Sequence, residues 1–255
     1  MTPLSAIARM RLEQAAEDSG FDLPRESAPG WRCFASSQAN LSIWLGAVGD
    51  DLYLAAVSRA SVLAALSDHG APFTHPLPGG AVGARSATSL SRLHALLRRA
   101  FQLSRALPDE PLRAFERRTA GLPRSTEAER LVVQRVGQDI FREALLDYWQ
   151  GRCALTGLAV PELLRASHIK RWADCETDAE RLDVYNGLLL APNLDAAFDL
   201  GFITLDDDGR VVVSPQLGDE DRALLGLDAP LRARGLEEGH RAYLVWHRGR
   251  VFRGD

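Results

Sequence analysis

The chain has 255 residues, of which 46% are hydrophobic and 25% charged, with a formal net charge of −4. Such a composition excludes disorder throughout, because enough apolar surface exists to bury a core. The acidic balance excludes a histone-like coat for nucleic acid but leaves room for a locally basic cleft, and no apolar run reaches the ~18 residues of a membrane-spanning helix.

The first residues, 1–21, read as an amphipathic helix that Thr2-Pro3 starts and that runs to about Asp18. They lack the basic–apolar–small order of an export signal, so a cytoplasmic location and no membrane partner are expected. Three β-rich runs follow, Trp31–Ser36, Leu41–Val48 and Asp51–Val57, with Gly49-Asp50 as a hairpin turn between the last two. Trp31 and Trp44 serve either as core or as the frame of a base-reading pocket. A short helix capped by Ser58 or Ser61 ends near Leu66, a glycine- and proline-rich loop covers Asp68–Thr88, and a helix spans about Leu90–Leu107. The stretch from Pro108 to Ser125 holds three prolines and a glycine and marks the domain boundary. Eight arginines against three acids between Arg85 and Arg118 form either a solvated face or a phosphate-facing surface.

Thr126 with Glu129 makes a capping box, and Val133, Val136, Ile140, Ala144 and Tyr148 form an apolar stripe, so a long core-facing helix is predicted up to Gly151. Cys153–Gly157 reads as a strand running into a turn, Leu163–Ile169 as a segment ending in His168, and Leu188–Ala191 as a strand. Asn193 is the expected cap of a short helix, Leu194–Leu200, stopped by Gly201, and a hairpin covers Phe202–Ser214. Arg232–Arg253 is basic and aromatic, and reads as a second DNA-facing edge or a closing strand. Cys33, Cys153 and Cys175 are far apart and contain no CxxC pair, which excludes a four-thiolate zinc site and suits a reducing compartment.

The chemistry concentrates in residues 151–210. Asp195 and Asp199 lie four apart on the short helix, so both carboxylates project from one face and repel. Asp199 is also opposed by the helix dipole, and calls for a cation, an arginine partner or plain solvation. His168 at a strand end can act as a general base if a carbonyl or amide holds its ring, a role Asn186 on the next strand could fill.

In order and spacing, Arg165-Ala-Ser-His-Ile-Lys-Arg-Trp172, then Tyr185-Asn-Gly187, then Asn193-Leu-Asp-Ala-Ala-Phe-Asp-Leu-Gly201 resemble the restriction-type branch of the HNH endonucleases, with Gly137-Gln138, Phe141-Arg142, Cys153 and Thr156-Gly157 upstream. The resemblance covers about residues 126–255. It implies a ββα-metal nuclease domain (125–255); the elements read before it make a small N-terminal α+β domain (1–120), a candidate for target recognition, and the whole an α+β protein. It implies that His168 is the general base, that Asn186 orients it, and that Asp195 and Asp199 are metal ligands, with Asn193 a weaker candidate. Two features depart from the family: Ser167 stands where Asp or His often precedes the base, and acids replace histidine in the helix. An all-oxygen site suits one Mg²⁺ or Mn²⁺ ion. Lys170, Arg171 and Arg165 flank the base and are candidates to clamp phosphates of double-stranded DNA. The implied activity is metal-dependent hydrolysis of DNA phosphodiesters in restriction or defence. Two alternatives stay open, a DNA-binding protein with an inactive site and a scaffold whose Asp pair is structural, as does the choice between monomer and homodimer.

Overall fold

A computed structural model describes residues 4–49, 51–107, 109–123 and 125–254. Thr2-Pro3 and Asp50, which the sequence reading used as a helix start and a turn residue, lie outside the described residues. The chain divides into two units, Met1–Leu107 and Pro108–Asp255.

The first unit is built on a six-stranded antiparallel sheet in the order β1-β2-β3-β4-β6-β5: β1 Leu23–Arg25, β2 Arg32–Ala35, β3 Ser42–Val48, β4 Leu52–Val57, β5 Ala71–Phe73 and β6 Gly83–Ala87. Helices α1 (Ala6–Glu17, capped by the Ser5 side chain) and α3 (Leu90–Ala106, capped by Ser89) pack against it, and a short helix, α2 (Ala60–Ala64), joins α3. The register places Cys33, Trp44, Ala56 and Ala84 side by side across four strands. Because side chains alternate between faces, these four share one side, where they bury with Trp31 and Leu54 beneath Phe73, Leu77 and Ala81. Trp31 and Trp44 keep 4% and 9% of their surface, so they are core and frame no base-reading pocket. The glycine- and proline-rich stretch expected to be a loop contributes two strands, β5 and β6, and β1 was not expected at all.

In the second unit, the expected linker contains α4 (Glu110–Thr119). It packs on the long helix α5 (Glu127–Tyr148), whose Thr126–Glu129 capping box forms as read. The left-handed exit from α5 begins at Gln150 (φ 55°), one residue before Gly151. Cys153–Gly157 is a turn, joined to the next hairpin by a single bond from Ala154 N–H to the Leu189 carbonyl. Next come β7 (Arg165–His168), α6 (Asp178–Leu182), β8 (Gly187–Leu190), α7 (Pro192–Asp199), and a hairpin of β9 (Ile203–Leu205) with β10 (Val211–Val213). Two further helices, α8 (Asp219–Leu224) and α9 (Glu238–Arg250), complete the unit. The basic C-terminal stretch is therefore a helix, not a strand. Four of its six arginine side chains make contacts within the unit: Arg248 binds Asp207 and the Leu205 carbonyl, Arg241 pairs with Glu238, Arg232 donates to the Asp208 carbonyl, and Arg253 lies over the Phe202 ring.

Among the described residues no helix is long and apolar enough to cross a membrane.

Candidate active site

β7 and β8 pair antiparallel, with His168 opposite Gly187, and α7 follows after one residue, giving a ββα arrangement. α7 starts differently from the reading: Ala191 is its N-cap and Pro192 its first residue, where a missing N–H costs nothing. The Asn193 side-chain nitrogen instead donates to the Leu225 carbonyl, so Asn193 is not the cap, while its Oδ1, the atom a cation would take, lies outside that bond. At the other end Gly201 takes φ 77°, and a Cβ there would lie 2.0 Å from the Val251 carbonyl oxygen, so only glycine fits the stop.

The imidazole of His168 is stacked on Phe141 of α5, with centroids 3.8 Å apart and planes 16° from parallel, and meets Trp172 edge-on at 5.5 Å. Glycine makes this packing possible. A Cβ on Gly187 would sit 2.6 Å from the Phe141 ring and 2.8 Å from Leu145. Burial holds the imidazole neutral and lowers its pKa to about 4, partly offset by a hydrogen bond to the Arg181 carbonyl. Nε2 makes that bond, at 2.8 Å. Nδ1 has no protein partner among the described residues and is not sealed from solvent. A neutral ring with one nitrogen tied to an acceptor and the other carrying a lone pair is the form a general base requires.

Asn186 does not hold that ring. It is wholly buried and closes the loop between the strands: Oδ1 accepts from Lys170 N–H at 2.7 Å, and Nδ2 donates to the Lys170 and Glu180 carbonyls, both at 3.1 Å. The ring's acceptor is a main-chain carbonyl, which no residue type announces in a sequence. Asn186 bears on the imidazole only at one remove, by fixing the ends of the loop that carries Arg181.

Adjacent residues of a strand point to opposite faces. His168 faces α5, and Ser167, buried to 3%, faces α7 beside Asp195. The Ser167 hydroxyl lies near enough to favour the Asp195 carboxylate yet completes no hydrogen bond. Burial pushes the Asp195 carboxyl above the usual range, against the pull of Ser167 and Arg165. Asp199 is raised too, by desolvation and then by the Asp195 charge, with Arg171 opposing. The structure thus brings Ser167, Asp195 and Asp199 to one side of β7 and His168 to the other, with no hydrogen bond between imidazole and carboxylate.

The three expected phosphate contacts separate. Lys170 is closed in an ion pair with both oxygens of Glu180, at 3.0 and 3.1 Å, and is not available to a phosphate. Arg171 donates to the Asp199 carbonyl at 2.7 Å, so it is the cation that answers the unfavourable end of α7. Arg165 is exposed, and acts on Asp195 only through its charge.

Among the described residues no three His, Cys, Asp or Glu side chains converge as a metal-binding group. The donor set that does exist, two carboxylates raised by burial and repulsion around an unpartnered hydroxyl, fits a hard cation completed by water and substrate oxygens.

A search of curated proteins finds no match to the chain. Residues 153–206, which run from the turn before β7 through α7 and β9, match the family described as HNH endonuclease.

Proposed function

We propose that the second unit hydrolyses phosphodiester bonds of double-stranded DNA with one divalent cation, Mg²⁺ or Mn²⁺. The observation that carries the reading is the state of His168: neutral, locked through Nε2, and presenting Nδ1 beside the ββα hairpin. In this reading Nδ1 takes a proton from water as the water attacks phosphorus. Burial at this site favours the neutral ring, so the base is ready at neutral pH. Asp195 and Asp199 lie across β7 from the imidazole, so in this reading the scissile phosphate would span the end of the strand, and the carboxylates would hold the cation, whose chemistry is to stabilise charge on the phosphate and on the leaving oxygen. Arg165 is placed to meet a neighbouring phosphate, and Arg171 to do so only if it leaves the Asp199 carbonyl. Asn186 keeps the loop closed. We assign a restriction or defence role to the whole, following the family resemblance, and target choice to the first unit as the part outside the nuclease domain.

The deciding experiment incubates the purified chain with methylated and unmethylated plasmid, with and without Mg²⁺ and Mn²⁺. Nicking that needs the cation and is lost in His168→Ala, with DNA binding retained, supports the proposal. DNA binding without nicking under every condition assigns the chain to the inactive alternative. Absence of salt-dependent binding removes DNA as the substrate.

A further inference from the structure

We propose that Arg181 is a positioning residue for His168 that acts through its own main-chain carbonyl. The nuclease half of this statement rests on the reading above; the geometric half does not. A carbonyl can only accept, so the 2.8 Å contact fixes the imidazole proton on Nε2 and leaves the lone pair on Nδ1. That choice of tautomer depends on where the Arg181 peptide is held. It sits in α6, a helix of five residues, too short to be stable alone.

The Arg181 side chain holds it. Nε donates to the Trp172 carbonyl at 3.2 Å, one terminal nitrogen donates to the Cys175 carbonyl, and the other bonds the Asp178 carboxylate at 3.0 Å. The guanidinium also lies 5.9 Å from the centre of the Trp172 ring, and the edge of Trp172 meets His168. The contacts close a circuit: imidazole to Arg181 carbonyl, guanidinium to Trp172, Trp172 back to imidazole. Gly137 of α5 is part of the same packing, since a Cβ there would lie 2.6 Å from the Trp172 ring. The planar fork of arginine reaches three acceptors in fixed directions, and the compact ammonium of lysine does not.

The rival role is a phosphate contact, because the Arg181 side chain keeps 23% of its surface. The test uses the full chain as parent, Arg181→Lys and Gly137→Ala. Long-range ¹H–¹⁵N spectra of the imidazoles, with His168 assigned by its loss in His168→Gln, report the tautomer, and plasmid nicking gives kcat and KM. In the parent, His168 is the Nε2–H tautomer. In Arg181→Lys both tautomers are populated, kcat falls about 30-fold, and KM and the salt dependence of binding stay within about twofold, since only part of a general base's 10²–10⁴ is lost. Gly137→Ala shifts the same readings by about fivefold, because it displaces Trp172 and leaves the guanidinium intact. An unchanged single tautomer in both variants overturns the proposal. So does a raised KM with the slope of binding against salt reduced by about one, which assigns the guanidinium to a phosphate. If the parent does not nick DNA, the nuclease reading fails, and the tautomer spectra still decide this one.

Discussion

His168 and His247 occupy nearly the same setting in two parts of the second unit. Each ring is stacked on a phenylalanine, His168 on Phe141 at 3.8 Å and His247 on Phe198 at 3.9 Å. Each Nε2 reaches a main-chain carbonyl, of Arg181 at 2.8 Å and of Phe198 at 3.1 Å, and burial lowers each pKa to about 4. They differ at the other nitrogen. Nδ1 of His247 meets the Thr204 hydroxyl at 2.9 Å, and among the described residues Nδ1 of His168 meets no hydrogen-bond partner. Burial, stacking and a depressed pKa therefore do not separate His168 from His247. The second ring nitrogen does, and it is the ground on which His168 is proposed as the base.

The comparison breaks most sharply under substitution. His168→Ala is expected to lower plasmid nicking by about 10³-fold while filter binding of DNA is retained, a loss typical of a removed general base. His247→Ala is expected to leave nicking per folded molecule within about threefold and to lower unfolding free energy in urea by about 3 kcal/mol, as removal of a fully packed ring does. Equal losses of nicking in the two variants would erase the distinction.

The carboxylates across β7 from His168 sharpen it further. Mn²⁺ at about 100 times its dissociation constant should stabilise the parent by about 2.7 kcal/mol in thermal melts. Asp195→Ala should abolish that shift. Without metal, Asp199→Asn should raise the melting point by a degree or two, because it removes one of two carboxyls held against burial and mutual repulsion. A metal-free Asp199→Asn chain that melts lower than the parent would contradict the repulsion.

Acid treats the two rings alike. The pKa values of His168, His240 and His247 are all lowered from 6.5 to about 4, chiefly by burial. Since the unfolded chain takes up protons at the higher value, the stability tied to these rings is whole above pH 6.5. It is lost as pH falls from there to 4, at up to about 3 kcal/mol for each ring. Urea midpoints at pH 7.5, 5.5 and 4.5 measure it, and a midpoint that does not fall through that window refutes the buried neutral state. The smallest effect is at the start of α5, where Thr126→Ala should cost about 1 kcal/mol and leave both histidines untouched.

What the sequence made legible was local. The Thr126 capping box, the Gly201 stop, the i,i+4 pair of Asp195 and Asp199 and the Ile203–Val213 hairpin each depend on neighbours a few residues away, and each can be read from residue type and spacing. Pairings between distant segments could not be read that way. β5 and β6 are strands because they bond to each other and β6 bonds to β4, although the glycines and prolines of the stretch suggest a loop. Trp246 and Phe252 interleaved among arginines suggested a strand, and the helix is recognisable only once His240, Leu244 and His247 are seen buried at intervals of four and three. The imidazole's acceptor is a backbone atom thirteen residues away, and Lys170 finds Glu180 ten residues on.

Lys170 is the only lysine in the chain, and it is clamped against Glu180 in the loop that carries Arg181. A lysine-specific protease thus has a single address, between Lys170 and Arg171, and reaching it requires that loop to open. Digestion into two fragments becomes a clock for loop opening, readable on a gel, in a protein whose thirty basic side chains are otherwise all arginine.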